Sequence, residues 1–533
     1  MAKAQRPEVT TLTVTQLEQL LDDLRRLLRA ATYHVVEGLL LTLRWVMAAF
    51  EQKTTSIARL KRMLFGHTTE TTAKIIPPKP GEDPGSGNAP GTAKAKRKGH
   101  GRNGSKAYPG ARRVNVSHAT LKAGQLCPKC LRAKLYLLKI PARIIRIVAQ
   151  PLFQATLYEL ERLRCALCGA VFTSPAPPEA GTSKYDPSVG PMLALMRYGA
   201  GQPMYRMDQW QTHFGVPLPA STQWELIEAA SPAPAAVYDA LIGIAAQSRL
   251  LHHDDTTMRV QSLRQQLTQK AEEGHKRTGI FTTNITAQAG SHRVALFFTG
   301  DKHAGENLDQ LLQRRAAGLE KPLQMCDGLS RNQSKEFETI FCNCILHARR
   351  CFVDVVEGFP EECRFVVESL REVYRFDALT KKEKLSDAAR LAFHQEHSRP
   401  LMEALHRWMI EQLEQRKVEP NSGLGEAIRY CLKRWEPLTR FLEVPGAPLD
   451  NNLSERALKM SILHRKNSMS YKTLNGARIG DIFMSLIHTC QLANVNPFEY
   501  LMALQQHSQE VLKEASRWLP WNYTEALEPT DTG

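Results

Sequence analysis

Three carboxylates sit at places where a sheet and a helix can bring them together. Asp254 or its neighbour Asp255 lies within the strand-like stretch 250–260, which is otherwise apolar and Thr-rich. A strand turns successive side chains to opposite faces, so only one of the two can point at a shared site. An acid inside such a strand is costly without a purpose. Asp327 ends the strand-like run 323–327 and is followed by Gly328. Ligands in α/β sheets gather at such strand ends. Glu455 lies in Asp450-Asn-Asn-Leu-Ser-Glu-Arg-Ala-Leu-Lys. There Asp450, Asn451 or Asn452 can cap a helix carrying Glu455 in its first turns. Arg456, Lys459, Arg465 and Lys466 follow closely, cations that suit a metal–phosphate site. Such a trio can hold the hard cations, magnesium or manganese, that metal-assisted phosphoryl transfer uses. Each acid also has a plain reading: solvated acids on an edge strand, a strand-to-turn Asp, and a surface helix with a Glu455–Lys459 pair. Spacing alone does not choose.

A second set of ligands is made of sulfur. Cys127 and Cys130 form one CxxC knuckle and Cys165 and Cys168 another, with 34 residues between them. Stretches 142–149 and 155–164 look like strands of a hairpin that would bring the knuckles together. Four thiolates make the closed tetrahedral shell of a structural zinc site, with no position left for chemistry. A redox dithiol would need only one pair. Cys344 and His347 have the spacing of metal ligands too. Cys326, Cys342 and Cys344 nevertheless lie in apolar strands, where free cysteine is usually core. We therefore expect His347 to stand beside the active site without binding metal. Arg349 and Arg350 either meet phosphates or lie on a solvated helix face.

The elements that must position these groups follow in order. Residues 14–65 read as helix, and Leu17, Leu21, Leu24, Leu28, Ala31 and Val35 follow the 4-3 spacing of a heptad seam. This predicts self-association, against a plain helical hairpin bent at Gly38. A Pro/Gly linker begins near residue 75 and runs into Lys94, Lys96, Arg97, Lys98, Arg102, Lys106, Arg112 and Arg113 without an acid. A flexible basic segment of this kind tracks a phosphate backbone. Residues 188–230 read as short helices, with Ser221 placed to cap one; a helix-turn-helix-like DNA reader and a helical spacer fit equally. Beyond 250, three strands, a helix and a strand ending in Asp327-Gly328 have the order of a ribonuclease-H-like sheet. The chain is all helical from 353 to about 443, and again from 449 to about 505.

Bulk properties agree. The 533 residues suffice for three or four domains. The net charge of +16 suits a polyanionic partner, because neutralising phosphates releases counterions. Eleven cysteines, an odd count without a secretory segment at the start, predict a reducing compartment. The most apolar run, Val35 to Phe50, is short and carries Glu37 and Arg44, so no membrane span is expected. The default location is cytoplasmic.

Four stretches together resemble the DDE-type transposases of the insertion sequence 66 family. They are His253-Asp-Asp-Thr-Thr-Met-Arg-Val, Asp327-Gly, Cys344-Ile-Leu-His-Ala-Arg-Arg-Cys-Phe-Val-Asp, and the Asp450-Asn-Asn motif with Arg465-Lys-Asn. Leu64-Phe-Gly, Gly99-His-Gly-Arg, the double CxxC, 485–490 and 496–501 agree as well. The resemblance implies Asp254, Asp327 and Glu455 as the catalytic, magnesium-binding acids, and it is what selects Asp254 over Asp255. Asp255 departs from the family's usual Glu, and Leu329-Ser-Arg from its usual Tyr-containing turn. The implied function is metal-dependent DNA cleavage and strand transfer at the ends of an insertion sequence. The implied partners are double-stranded DNA, further copies of the chain and accessory proteins encoded by the element. An inactive zinc-containing DNA-binding regulator and a related nuclease are the rival readings. The expected organisation is multidomain. A helical, leucine-zipper-like segment covers 1–74, a basic linker 75–107, a zinc-binding β module 108–178 and a helical DNA-binding-like domain 179–245. The ribonuclease-H-like α/β core covers 246–353 and 437–510 around a helical insertion, 354–436, and a tail covers 511–533.

Overall fold

The computed structural model describes residues 14–27, 32–38, 40, 113–117, 119–138, 152–168, 170–273 and 277–528. The basic run from Lys94 to Arg112, with Lys96, Arg97 and Lys98, lies outside them, as do the expected strand 142–149 and the helix beyond residue 40. The chain divides into two compact units, one of residues 78–157 with 211–217 and one of 1–77, 158–210 and 218–533.

In the smaller unit, Cys127 and Cys130 lie on a tight turn. The backbone closes it through Cys127 N–H to Ala133 O at 2.8 Å, Leu131 N–H to Cys127 O at 2.9 Å and Leu135 N–H to Gln125 O at 2.8 Å.

In the larger unit, helix α1 (Val14–Leu27) carries Leu17, Leu21 and Leu24. Strands β1 (Arg162–Arg164) and β2 (Val171–Thr173) pair antiparallel around the Cys165–Cys168 turn. This differs from the expected hairpin. Of the expected strand 155–164 only Arg162–Arg164 is a strand, and its partner is Val171–Thr173; around the first knuckle Leu126 and Lys134 form a single antiparallel bridge. The turn there closes tightly, with Cys165 N–H donating to Ala170 O at 2.8 Å.

The centre of this unit is a mixed five-stranded sheet. Its strands are β3 (Leu250–Thr257), β4 (Phe281–Ala289), β5 (His292–Gly300), β6 (Leu323–Cys326) and β7 (Ile340–Asn343), in spatial order β5-β4-β3-β6-β7. The β5-β4-β3 neighbours are antiparallel and β3-β6-β7 are parallel. Gly290, at φ 59°, makes the tight β4–β5 turn that a side chain would strain. Most of β4 is buried on both faces, so it lacks the polar alternation of a one-sided strand.

Helix α2 (Pro232–Ala246) covers the β4–β5 side with Val237, Leu241 and Ala245 buried. Its Tyr238 hydroxyl donates to Phe297 O at 2.7 Å. Ser221 lies inside the helix Ala220–Ala229 rather than capping it. The helix start is held instead by buried Gln223, which donates to Leu218 O at 2.7 Å and Met204 O at 3.0 Å.

After β7 come helix α3 (Ile345–Val353) and the helices Pro360–Lys382, Asp387–His397, Arg399–Glu414 and Gly423–Lys433. All of these but Asp387–His397 share one apolar core with α3, in which Phe352, Val366, Leu370, Met402, Leu405 and Ile428 are buried. Helices α4 (Asn452–Ser468) and α5 (Leu474–Leu492) then return to the sheet. α5 seals the exposed edge of β5. Thr489 Oγ1, Ser485 Oγ and an Asp481 carboxylate oxygen, each one helical turn apart, accept the backbone N–H groups of Ala295, Phe297 and Thr299 at 3.1, 2.9 and 2.7 Å. An open edge would leave those donors free for another chain. No single helix among the described residues is long and apolar enough to cross a membrane.

Candidate active site

The strand register brings the first two acids together. β3 pairs in parallel with β6 through His252 and Met325. Two residues further along both strands stand Asp254 and Asp327, on neighbouring chain segments at the carboxyl end of the parallel pair. The side chain of Asn332, fully buried, spans both acids. Its Nδ2 donates to Asp327 Oδ1 at 2.6 Å and stands 3.5 Å from Asp254 Oδ1. Nothing in the sequence motifs pointed to Asn332. The turn after Asp327 folds back so that Leu329 N–H also donates to Asp327 Oδ1, at 3.2 Å.

Asp255 points elsewhere, as alternation requires. Its carboxylate meets His303 Nδ1 at 3.1 Å and Arg331 at 3.4 Å. Its backbone N–H donates to Asp254 Oδ1 at 2.8 Å. The two adjacent acids thus do different work: Asp255 ties β3 to the loops beside it, and Asp254 faces Asp327.

Glu455 arrives on the first turn of α4. Asp450, one of the three expected caps, accepts the Asn452 N–H at the helix start on Oδ1 at 3.1 Å. Asn451 occupies the N-cap position, but its side chain makes no capping bond. Asn451 Nδ2 donates to His253 O at 2.9 Å, its Oδ1 lies 3.3 Å from His252 Nδ1, and its N–H donates to Cys344 Sγ at 3.3 Å. This fully buried amide therefore pins the start of α4 to the strand that carries Asp254. At the other end of α4, Arg465 holds the end of β3 through Thr256 Oγ1, Thr257 O and Thr257 Oγ1.

Burial pushes the Asp254 carboxyl up to about 7, and the negative charges of Asp327, Asp255 and Glu455 push in the same direction. His252 and His253 lie behind the site, held low at about 4 and about 3 by burial, so they are neutral and do not offset that charge.

A model of the transposase IS66 family matches residues 182–479, more than half of the chain and all three acids. The chain belongs to that family. It is also similar to the uncharacterized protein y4hP of Sinorhizobium fredii (strain NBRC 101917 / NGR234), 27% identical over 389 residues, with 69% of this chain and 68% of that protein covered. The uncharacterized protein y4jD of the same strain is 26% identical over 390 residues, covering 68% of this chain and 71% of that protein.

The remaining family-motif residues fall into distinct surroundings. His347, on the first turn of α3, places Nδ1 3.9 Å from Glu455 Oε1. Glu455 thus faces His347, and no Glu455–Lys459 ion pair forms among the described residues. Arg456, Lys459 and Lys466 are exposed on α4, while Arg465 is engaged with β3. On α3, Arg349 is half-buried and Arg350 exposed. Arg434 of the helical insertion reaches back to the second acid's turn and donates to Gly328 O from Nε at 3.3 Å and from a terminal nitrogen at 3.1 Å. A Cβ at Gly328 would stand 2.3 Å from Arg434 Nε, so glycine is what lets the two approach. No sequence signal marked Arg434; its contact spans a gap of 106 residues.

Each cysteine pair sits on a closed backbone turn. Backbone N–H groups of Arg132 and Ala133 directed at Cys130 lower its thiol below the usual range. Cys165 and Cys168 flank the β1–β2 turn, half-buried and exposed respectively.

Proposed function

We propose that the chain is a divalent-metal-dependent DNA strand-transfer enzyme acting on the ends of its own mobile element, built on a ribonuclease-H-like core. The strand order, with one antiparallel pair of neighbours on one side of β3 and parallel strands on the other, supports that core. The observation that carries the reading is that Asp254 and Asp327 share the Asn332 amide, with Glu455 on the first turn of α4 close enough for its charge to raise the Asp254 carboxyl.

The donor set fits magnesium or manganese. It offers carboxylate oxygens alone, and the mutual repulsion at Asp254 is the kind of field that a divalent cation relieves. Asp254, Asp327 and Glu455 would hold the ions. Bound metal activates the attacking oxygen and stabilises the leaving one. The chain's own groups do the positioning. Asn332 fixes Asp327 next to Asp254, Asn451 fixes α4 on β3, and His347 stands beside Glu455. Exposed Arg456, Lys459 and Lys466 lie close behind and would meet the phosphates of double-stranded DNA, together with Arg349 and the basic segment Lys96, Arg97 and Lys98. No side chain need form a covalent bond to DNA.

Further parts of the reading rest on sequence. Cys127, Cys130, Cys165 and Cys168 would hold one structural zinc. The helical N-terminal segment would join copies of the chain, and accessory proteins of the element would assist. The test is DNA cleavage in magnesium by purified protein, with each acid changed in turn to alanine. Loss of cleavage with end binding retained supports the assignment.

A further inference from the structure

Three chemically different donors meet where α3 and α4 begin. Cys344 Sγ, a ring nitrogen of His347 and a carboxylate oxygen of Glu455 all lie within 4.8 Å of one another. If His347 served only to orient Glu455, a hydrogen bond would be expected. The two stand 3.9 Å apart, too far for one, and His347 Nδ1 is buried with no hydrogen-bond partner. Cys344 is likewise more than core filling, because the N–H of Asn451 donates to its sulfur. Burial pushes the Cys344 thiol up to about 12, and the Asn451 donor opposes that by stabilising charge on sulfur.

Donor atoms around a tetrahedral zinc lie roughly 3.3–3.8 Å apart, given metal–ligand distances of about 2.0–2.3 Å. Small side-chain rotations close the present spacing to that. The mix of thiol, imidazole and carboxylate suits a borderline-soft cation and not magnesium. The half-buried His347 and Glu455 leave a route of entry, while Cys344 forms the floor.

We propose that Cys344, His347 and Glu455 form a zinc site that shares its carboxylate with the magnesium set, so that zinc withdraws Glu455 and inhibits cleavage. The sulfur–zinc bond forms as the Cys344 thiol proton passes to solvent, and a water completes the shell. The inhibitory half rests on the function proposed above; the binding half does not.

The test compares full-length wild type with Cys344→Ser and His347→Gln, each checked for folding by circular dichroism and loaded with zinc under the same conditions. Wild type is expected to retain one more zinc equivalent than either variant. A wild-type-minus-Cys344→Ser difference spectrum in cobalt is expected to contain a thiolate charge-transfer band. The zinc concentration that halves magnesium-dependent cleavage, relative to each protein's own zinc-free rate, should rise at least about tenfold in the variants. Equal zinc content and a featureless cobalt difference overturn the site. A difference in zinc content with equal zinc sensitivity keeps the site and overturns the shared carboxylate. If wild type does not cleave at all, the proposed function fails, and the stoichiometry and the cobalt spectrum still decide the site.

Discussion

Asp254→Asn should stabilise the metal-free protein at alkaline pH while removing its metal response. Asp254 is held at about 7 against an ordinary 3.8, first by burial and then by the neighbouring acids. The folded state therefore keeps a proton that the unfolded chain gives up. Stability contributed by this group is full below pH 4 and is lost as pH rises through about 7. Three units at about 1.4 kcal/mol each set a ceiling of about 4 kcal/mol. Asparagine remains buried and polar, and its Oδ1 still accepts the Asp255 N–H, so a gain of about 1–3 kcal/mol is expected. Asp481, also held near 7 by burial, follows the same sign in both proteins and cancels in the difference. Melting in chelator from pH 4 to pH 9 should show the Asp254→Asn advantage opening between about pH 4 and pH 7 and constant above. Saturating magnesium should then raise wild type alone, by about 2.7 kcal/mol at a hundredfold excess over Kd, offsetting the variant's advantage. Parallel pH profiles for the two proteins would refute the reasoning.

The remaining predictions concern the groups that hold the site together. Asn451→Ala strips partners from His253 O and His252 Nδ1, so it should cost about 2–4 kcal/mol in urea melts and lower cleavage even at saturating magnesium. Ser485→Ala leaves the Phe297 N–H unpaired on the β5 edge; a loss of about 1–3 kcal/mol and faster exchange of that amide are expected, with cleavage by the remaining folded protein preserved. Cys165→Ser should lower the zinc content of the purified protein by about one equivalent; unchanged zinc would remove the four-cysteine reading.

What the sequence made legible divides along physical lines. β4 and β5 were readable from their apolar and Thr-rich runs, and α4 from the motif around Glu455. The choice between Asp254 and Asp255 was not readable from alternation, which says that they differ but not which one faces inward. The structure separates them by their partners: Asp327 and Asn332 for one, His303 and Arg331 for the other. Asp450, Asn451 and Asn452 each read as a possible helix cap; Asn451 takes that position, but its buried amide bonds His252 and His253 of β3 instead of the helix start. Asn332 and Arg434 were invisible, since each acts through tertiary contacts that no local periodicity encodes. The stripe of Asp481, Ser485 and Thr489 had the spacing of one helix face, yet only the sheet edge beside it explains polar residues on a buried surface.

The central claim is that Asp254, Asp327 and Glu455 form one metal-holding set. Its most direct test is cleavage of DNA carrying the element's ends, in magnesium, by wild type and by Asp254→Ala, Asp327→Ala and Glu455→Ala, with end binding measured in parallel. The account predicts cleavage by wild type alone and end binding by all four proteins. Near-normal cleavage by any one of the variants, or binding without cleavage by wild type, would contradict it.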